Sequence, residues 1–139
     1  MAMAAQGRDI KLAEQRVVGY RNFITKLWNA ARFGEMNGCS LDAGFDPSEC
    51  GGAINRWLVG KAADCTSSVE MAIESYRFNE AADTLYHFTW GTFCDWYVEL
   101  AKPILYGDEA AIKEETKATF AWALPVSYTH LTLPTSDLV

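Results

Sequence analysis

A chain of 139 residues is the length of one ordinary domain. Half of it is apolar, and five Trp, six Tyr and seven Phe supply the bulk for a core, which excludes disorder throughout. A formal net charge of −6 argues, as a total, against a nucleic-acid partner. The distribution of charge argues otherwise. Residues 1–33 carry Arg8, Lys11, Arg16, Arg21, Lys26 and Arg32 against only Asp9 and Glu14, whereas the rest of the chain carries six basic and sixteen acidic side chains. A locally anionic partner and an ordinary solvated basic helix face account for this asymmetry equally well.

No run approaches the roughly 18 apolar residues of a membrane span. The opening MAMAAQGRDIK lacks the basic segment and apolar run of a secretory signal. A soluble, cytoplasmic protein is expected, with no membrane partner. Cys39, Cys50, Cys65 and Cys94 contain no C-x-x-C pair and have only His87 and His130 to assist them. Free thiols are therefore expected rather than a zinc site, and no metal ligands are assigned.

In chain order, Val17, Tyr20, Ile24, Leu27, Trp28 and Ala31 recur at spacings of three and four and fall within about 60° of Ile24 on a helical wheel. They predict a core-facing helix over Leu12–Met36 that ends at Asn37-Gly38, where a left-handed cap is easy. A loop rich in Gly, Asp, Ser and Pro follows over 38–51. A second helix is predicted over 52–75, burying Ile54, Trp57, Leu58, Cys65, Val69, Ala72 and Ile73. After a break at Tyr76-Arg77-Phe78, Asn79 suits a helix cap and Glu80 the first turn. The third helix carries Ala82, Leu85, Phe88, Thr89, Phe93, Trp96 and Leu100 inward, has Lys102 in its last turn and stops at Pro103. Gly91 within it suggests a close helix contact. Gly107-Asp108 opens a fourth helix that is predicted to break at Pro125. With no strand of period two before residue 125, the expected fold is all-α, an antiparallel helical bundle.

The last stretch, PVSYTHLTLPTSDLV, has no Lys or Arg and two prolines, and it looks like translated adapter or vector sequence. Residues 125–139 are read as a non-native tail, with a genuine extended strand as the alternative.

Opposite the apolar stripe of the first helix lie Gln15, Asn22, Lys26, Asn29 and Phe33, within about 40° of the point antipodal to Ile24. Amides offer donors and acceptors to base edges, a lysine neutralises phosphate, and a ring stacks on an unpaired base. Arg16, Arg21 and Arg32 flank the stripe within reach of a nucleic-acid backbone. Four of the five tryptophans, Trp28, Trp57, Trp90 and Trp96, are assigned to the core, and Asp95 to a structural role, holding an indole N–H or a cap.

The segments AAQGRDIKL (4–12), YRNFITKLWNAARF (20–33) and YRFNEAADTLYHFTWGTFCDWYVELAKP (76–103) resemble the valyl-tRNA synthetase family, class I synthetases of the isoleucine, leucine and valine group. The resemblance covers about 1–124. It falls on the helical anticodon-binding domain, with residues 1–11 as the end of a connection from a catalytic domain, 12–124 as an incomplete anticodon-binding domain and 125–139 as the tail. It implies that Lys26, Phe33, Val98 and Glu99 match the family's base contacts, and that its basic position near the helix start falls on Gln15 or Arg16. Phe33 would be a stacking platform and Lys26 a phosphate or base-edge donor. Glu99 would accept from an exocyclic amine, and Val98 would supply an apolar contact or only shape. A salt bridge from Glu99 to Lys102 is the alternative role.

The H-I-G-H-like and K-M-S-K-S motifs, the editing domain and the C-terminal coiled coil of that family do not occur in the sequence. The resemblance therefore implies a piece that binds valine-accepting tRNA, not DNA, and catalyses nothing alone. Its parent would join valine to tRNA using ATP with magnesium; no cofactor is expected in this chain. A stand-alone helical protein-interaction domain is the competing expectation.

Overall fold

A computed structural model describes the backbone of residues 14–136 and the side chains of residues 14–125. The expected helix start at Leu12 and the connecting segment 1–11 lie outside the described residues. Helix α1 spans Glu14–Met36 and α2 spans Ala53–Glu74. A continuous rod follows, built of α3 (Phe78–His87), a π-helical stretch over Phe88–Tyr97, and α4 (Val98–Leu105). Helix α5 covers Ala110–Ser136. Among the described residues there is no strand, so the all-α expectation holds.

Residue pairings give the topology. Phe23 meets Tyr86 and Phe33 meets Tyr106, so α1 runs parallel to the rod. Helix α2 returns between them in sequence and runs in the opposite direction. Asn55 meets Thr116, which places the start of α2 beside the start of α5. The chain thus goes up, down, up and down. The loop after α1 and the turn before α5 share one end of the bundle.

Alternating polarity explains each buried face. Leu58, Ala62, Cys65, Val69 and Ala72 of α2 recur at three and four residues and meet Ala81, Leu85, Phe88 and Phe93 of the rod. Phe120 is fully buried, with its ring 5.2 Å from that of Phe93 and 6.1 Å from that of Tyr97. Burying such a side chain contributes about 1.5–3 kcal/mol. Gly34 of α1 lets this ring approach the α1 backbone: a Cβ there would lie 2.6 Å from Phe120 Cε1.

A polar knot closes the end of the bundle. The Tyr97 hydroxyl donates to Asn55 Oδ1 at 2.8 Å, and Asn55 Nδ2 donates to Thr116 Oγ1 and to Glu115 Oε1. Glu115 also accepts from the backbone N–H of Gly51 at 3.0 Å and of Gly52 at 2.8 Å, donors at the start of α2 that no helical carbonyl can reach. Burial tends to raise the Glu115 carboxyl pKa, but the hydrogen bonds from Asn55, Gly51 and Gly52 outweigh it and hold the group below the ordinary carboxylate range. Burial likewise pushes the Tyr97 hydroxyl up. All four cysteines are free thiols, and burial lifts Cys65 and Cys94 to about 11.

Several sequence expectations need correction. The buried residues of α1 are Phe23, Leu27, Ala30 and Gly34, a face turned about a quarter of the way round from the one centred on Ile24. Ile24 is 64% exposed and Trp28 60%, with Val17 also exposed. Apolar residues occupy two adjacent stripes that meet at Leu27, and the aromatic partners Tyr86, Trp90 and Phe120 select the one bearing Phe23. Trp57 and Ile73 of α2 lie at its exposed edge. Asn79 is inside α3; Arg77 precedes the first turn, after Tyr76 turns the chain at φ +57°.

The third helix does not stop at Pro103, which sits within α4. Nor does the fourth break at Pro125, since α5 continues helically to Ser136, and the extended-strand alternative is likewise excluded there. A proline removes one helical hydrogen bond without obliging the chain to leave the helix. A Cβ on Gly91 would meet nothing within 4 Å, so the close contact belongs to Gly34 instead. The π-helical stretch, with its wider turn, shifts the inward face: Tyr97, Val98, Ala101 and Leu105 point in, while Trp96 and Leu100 point out.

Candidate nucleic-acid interface

Where α1 lies along the rod, aromatic and cationic side chains alternate. Phe23 stacks on Tyr86 at 5.0 Å between ring centroids and on Trp90 at 6.1 Å, and Tyr86 stacks on Trp90 at 5.9 Å. The Lys26 ammonium stands 4.3 Å from the centre of the Trp90 ring and pairs with Asp95. About two turns on, Phe33 meets Tyr106 edge to face at 6.4 Å and Phe120 at 5.9 Å. Lys102 Nζ lies 5.8 Å from the Phe33 ring and donates to Glu99 Oε1 at 2.7 Å. Helical spacing explains the order. Lys26 and Phe33 are seven residues apart and share one edge of the buried face, while Glu99 and Lys102 are three apart on α4.

Magnitudes decide whether these groups are committed to the protein. The Lys26–Asp95 and Lys102–Glu99 pairs are partly solvated. Such ion pairs contribute about 0–1 kcal/mol, and a cation over an exposed ring about 0.5–1 kcal/mol. A phosphate or base edge can therefore take over either ammonium at small cost. Arg16, Arg21 and Arg32 are exposed and make no ion pair with any described residue.

The structure brings Lys26, Phe33 and Glu99 onto one seam, with Lys26 and Phe33 half-buried and Glu99 exposed. Gln15 and Arg16 are exposed near the described start of α1, and Asn22 and Asn29 are exposed on the solvent side of Lys26 and Phe33. Val98 is different: at 7% exposure it belongs to the core cluster and presents almost no side-chain surface.

The assignment of tryptophans to the core is corrected. Trp28 and Trp96 are exposed, Trp57 is at the margin, and Trp90 is half-buried on the seam. Asp95 holds the Lys26 ammonium rather than an indole or a cap. Sequence reasoning missed Tyr86, Trp90, Lys102 and Tyr106 as seam residues; the Tyr86–Trp90 spacing of four was the available signal. Among the described residues no group of three or more His, Cys, Asp or Glu side chains could hold a metal ion, and no helix is long and apolar enough to cross a membrane.

Aromatic faces beside cations are the groups with which proteins hold unpaired nucleotides, through stacking and phosphate contacts. Residues 55–131 match the family model described as the anticodon-binding domain of tRNA ligase, and the chain belongs to that family. Among its relatives are proteins named valine–tRNA ligase. That of Bradyrhizobium diazoefficiens is 58% identical over 122 residues, covering 88% of this chain and 13% of that protein. The one from Rhodopseudomonas palustris is 60% identical over 122 residues, with the same two coverages. The one from Caulobacter vibrioides is 58% identical over 125 residues, covering 90% of this chain and 14% of that protein. The chain thus spans about 13% of the length of the curated relatives it matches.

Proposed function

We propose that this chain grips the anticodon loop of a valine-accepting tRNA as one part of a longer valine–tRNA ligase. The observation that carries this reading is the juxtaposition of Lys26, Phe33 and Glu99 on one seam, flanked by arginines that have no acidic partner among the described residues, in a chain of the anticodon-binding family. Phe33 offers its solvent-facing ring surface to an unpaired base. Lys26 exchanges Asp95 for a phosphate or base edge. Glu99, released from Lys102, accepts from an exocyclic amine such as cytosine N4 or adenine N6. Val98 acts through shape, by setting where Glu99 stands, and Asn22 and Asn29 supply amides at the rim. Gln15 and Arg16 extend the contact towards the start of α1.

Ligation belongs to the remainder of the longer polypeptide, which would use ATP with magnesium; this segment supplies recognition and no reacting group. RNA is favoured over DNA because the chain belongs to the family of tRNA-ligase anticodon-binding domains.

The test is titration of the 139-residue chain with a valine-anticodon stem–loop at two salt concentrations. Binding should weaken steeply with salt, as phosphate contacts demand. Lys26→Ala and Phe33→Leu, the latter chosen to keep the packing on Phe120, should each weaken it, the leucine variant by about 5- to 150-fold if one base stacks there. Equal binding by wild type and both variants, each with native near-ultraviolet dichroism, overturns the assignment. Capture of a protein partner with indifference to RNA would favour a stand-alone interaction domain instead.

A further inference from the structure

The end of the seam nearest the described start of α1 opens into a cleft that shares only Arg16 with the RNA contacts proposed above. Its cavity of about 350 Å³ is lined by Arg16, Gly19, Tyr20 and Tyr86. That volume is within the usual range for small planar ligands, about 300–1,000 Å³. One wall is flat and rigid, because Tyr86 is held in the stack with Phe23 and Trp90 at interplanar angles of 15–28°. Tyr20 brings a second ring. Gly19 leaves the floor open, since a Cβ there would meet nothing within 4 Å. Arg16 is exposed beside the opening and has no acidic partner among the described residues.

Two phenol rings, a guanidinium and, among the described residues, no carboxylate in the lining match a π-faced group joined to an anion. We propose that this cleft is a stacking subsite for one further unpaired nucleotide of the bound RNA loop, one outside the anticodon triplet, with Tyr86 and Tyr20 against the base and Arg16 on its phosphate. The proposal rests on the RNA-binding reading above. Tyr20 and Phe33 are separated by about 20 Å along the axis of α1, so a single base cannot occupy both ends of the seam. The Tyr86–Trp90 stack, with Lys26 over its far end, links the two positions.

The experiment uses valine-anticodon stem–loops in which 2-aminopurine replaces single loop nucleotides outside the triplet, titrated with the 139-residue chain. One of these positions should be quenched on binding, as its base stacks. Gly19→Leu places its Cβ where nothing lies within 4 Å, extends the rest of the side chain into the cleft and replaces a poor helix former, so the fold is retained. It should abolish the quench and weaken binding by about 5- to 150-fold, and Tyr86→Leu should act in the same direction. Lys26→Ala should weaken binding while the quench persists at saturation. Undiminished affinity and fluorescence change with Gly19→Leu overturn the subsite and leave the RNA reading standing. Absence of binding by the wild-type chain overturns both.

Discussion

Replacing Gly34 with alanine isolates a close contact between α1 and α5. The new methyl would stand 2.6 Å from Phe120 Cε1 and 3.1 Å from Cδ1. The ring has nowhere to retreat, because Phe33, Phe93 and Tyr97 surround it at 5.2–6.1 Å between centroids. Overpacking of this kind costs about 1–3 kcal/mol, against which alanine recovers about 1 kcal/mol of helix propensity. The net expectation is a loss of about 0–2 kcal/mol. Gly19→Ala, in the same helix but with nothing within 4 Å, keeps only the propensity gain and should stabilise by up to about 1 kcal/mol. Urea unfolding followed by far-ultraviolet dichroism measures both, and the difference between the variants reports the Phe120 contact alone. At this size each kcal/mol moves the melting temperature by roughly 3 °C. Equal stability of the two variants, with equal denaturant slopes, would refute the packing argument.

Two further substitutions test the buried polar groups. Glu115→Gln removes the charge that caps Gly51 and Gly52 and should cost about 1.5–3 kcal/mol at pH 7 by urea unfolding. The Glu115 carboxyl pKa is lowered in the folded chain, so its contribution is complete above the ordinary value near 4.3 and is lost as pH falls through the folded one. The gap between wild type and variant should therefore close on acidification; a gap constant down to pH 2 would contradict the capping role. Thr89→Val should be neutral or stabilise by up to about 1 kcal/mol, because the fully buried Thr89 hydroxyl has no hydrogen-bond partner among the described residues. A loss above 1 kcal/mol in the same assay would show that the hydroxyl is engaged.

What the sequence makes legible is set by how uniquely each pattern points. Helix α2 lies within a residue of its expected bounds, since its apolar positions recur on one face between a glycine pair and a turn. Gly38, at φ +71°, ends α1 where Asn37-Gly38 predicts. The rotation of α1 was not legible. Val17, Ile24 and Trp28 compete with Phe23, Ala30 and Gly34 for the inward side, and the winner depends on rings some sixty to ninety residues away. The outer-stripe reading of α1 still placed Lys26 with Phe33, because residues seven apart share an edge whichever face is buried. Their partners on the rod were hidden for a different reason. A wheel with a fixed 100° step cannot follow a helix whose turn widens, so it sends Trp96 and Leu100 inward, where the structure buries Tyr97 and Val98 instead.

That widened turn has a geometric consequence. Accommodating an extra residue swings everything after Tyr97 round the rod axis relative to a uniform α-helix. One run of backbone can thereby direct Tyr86, Trp90 and Asp95 along α1 and, further on, still carry Lys102 back to Phe33. The phase slip works as a gear between the two halves of the rod. It keeps an aromatic half and an ionic half in mesh with one straight neighbouring helix.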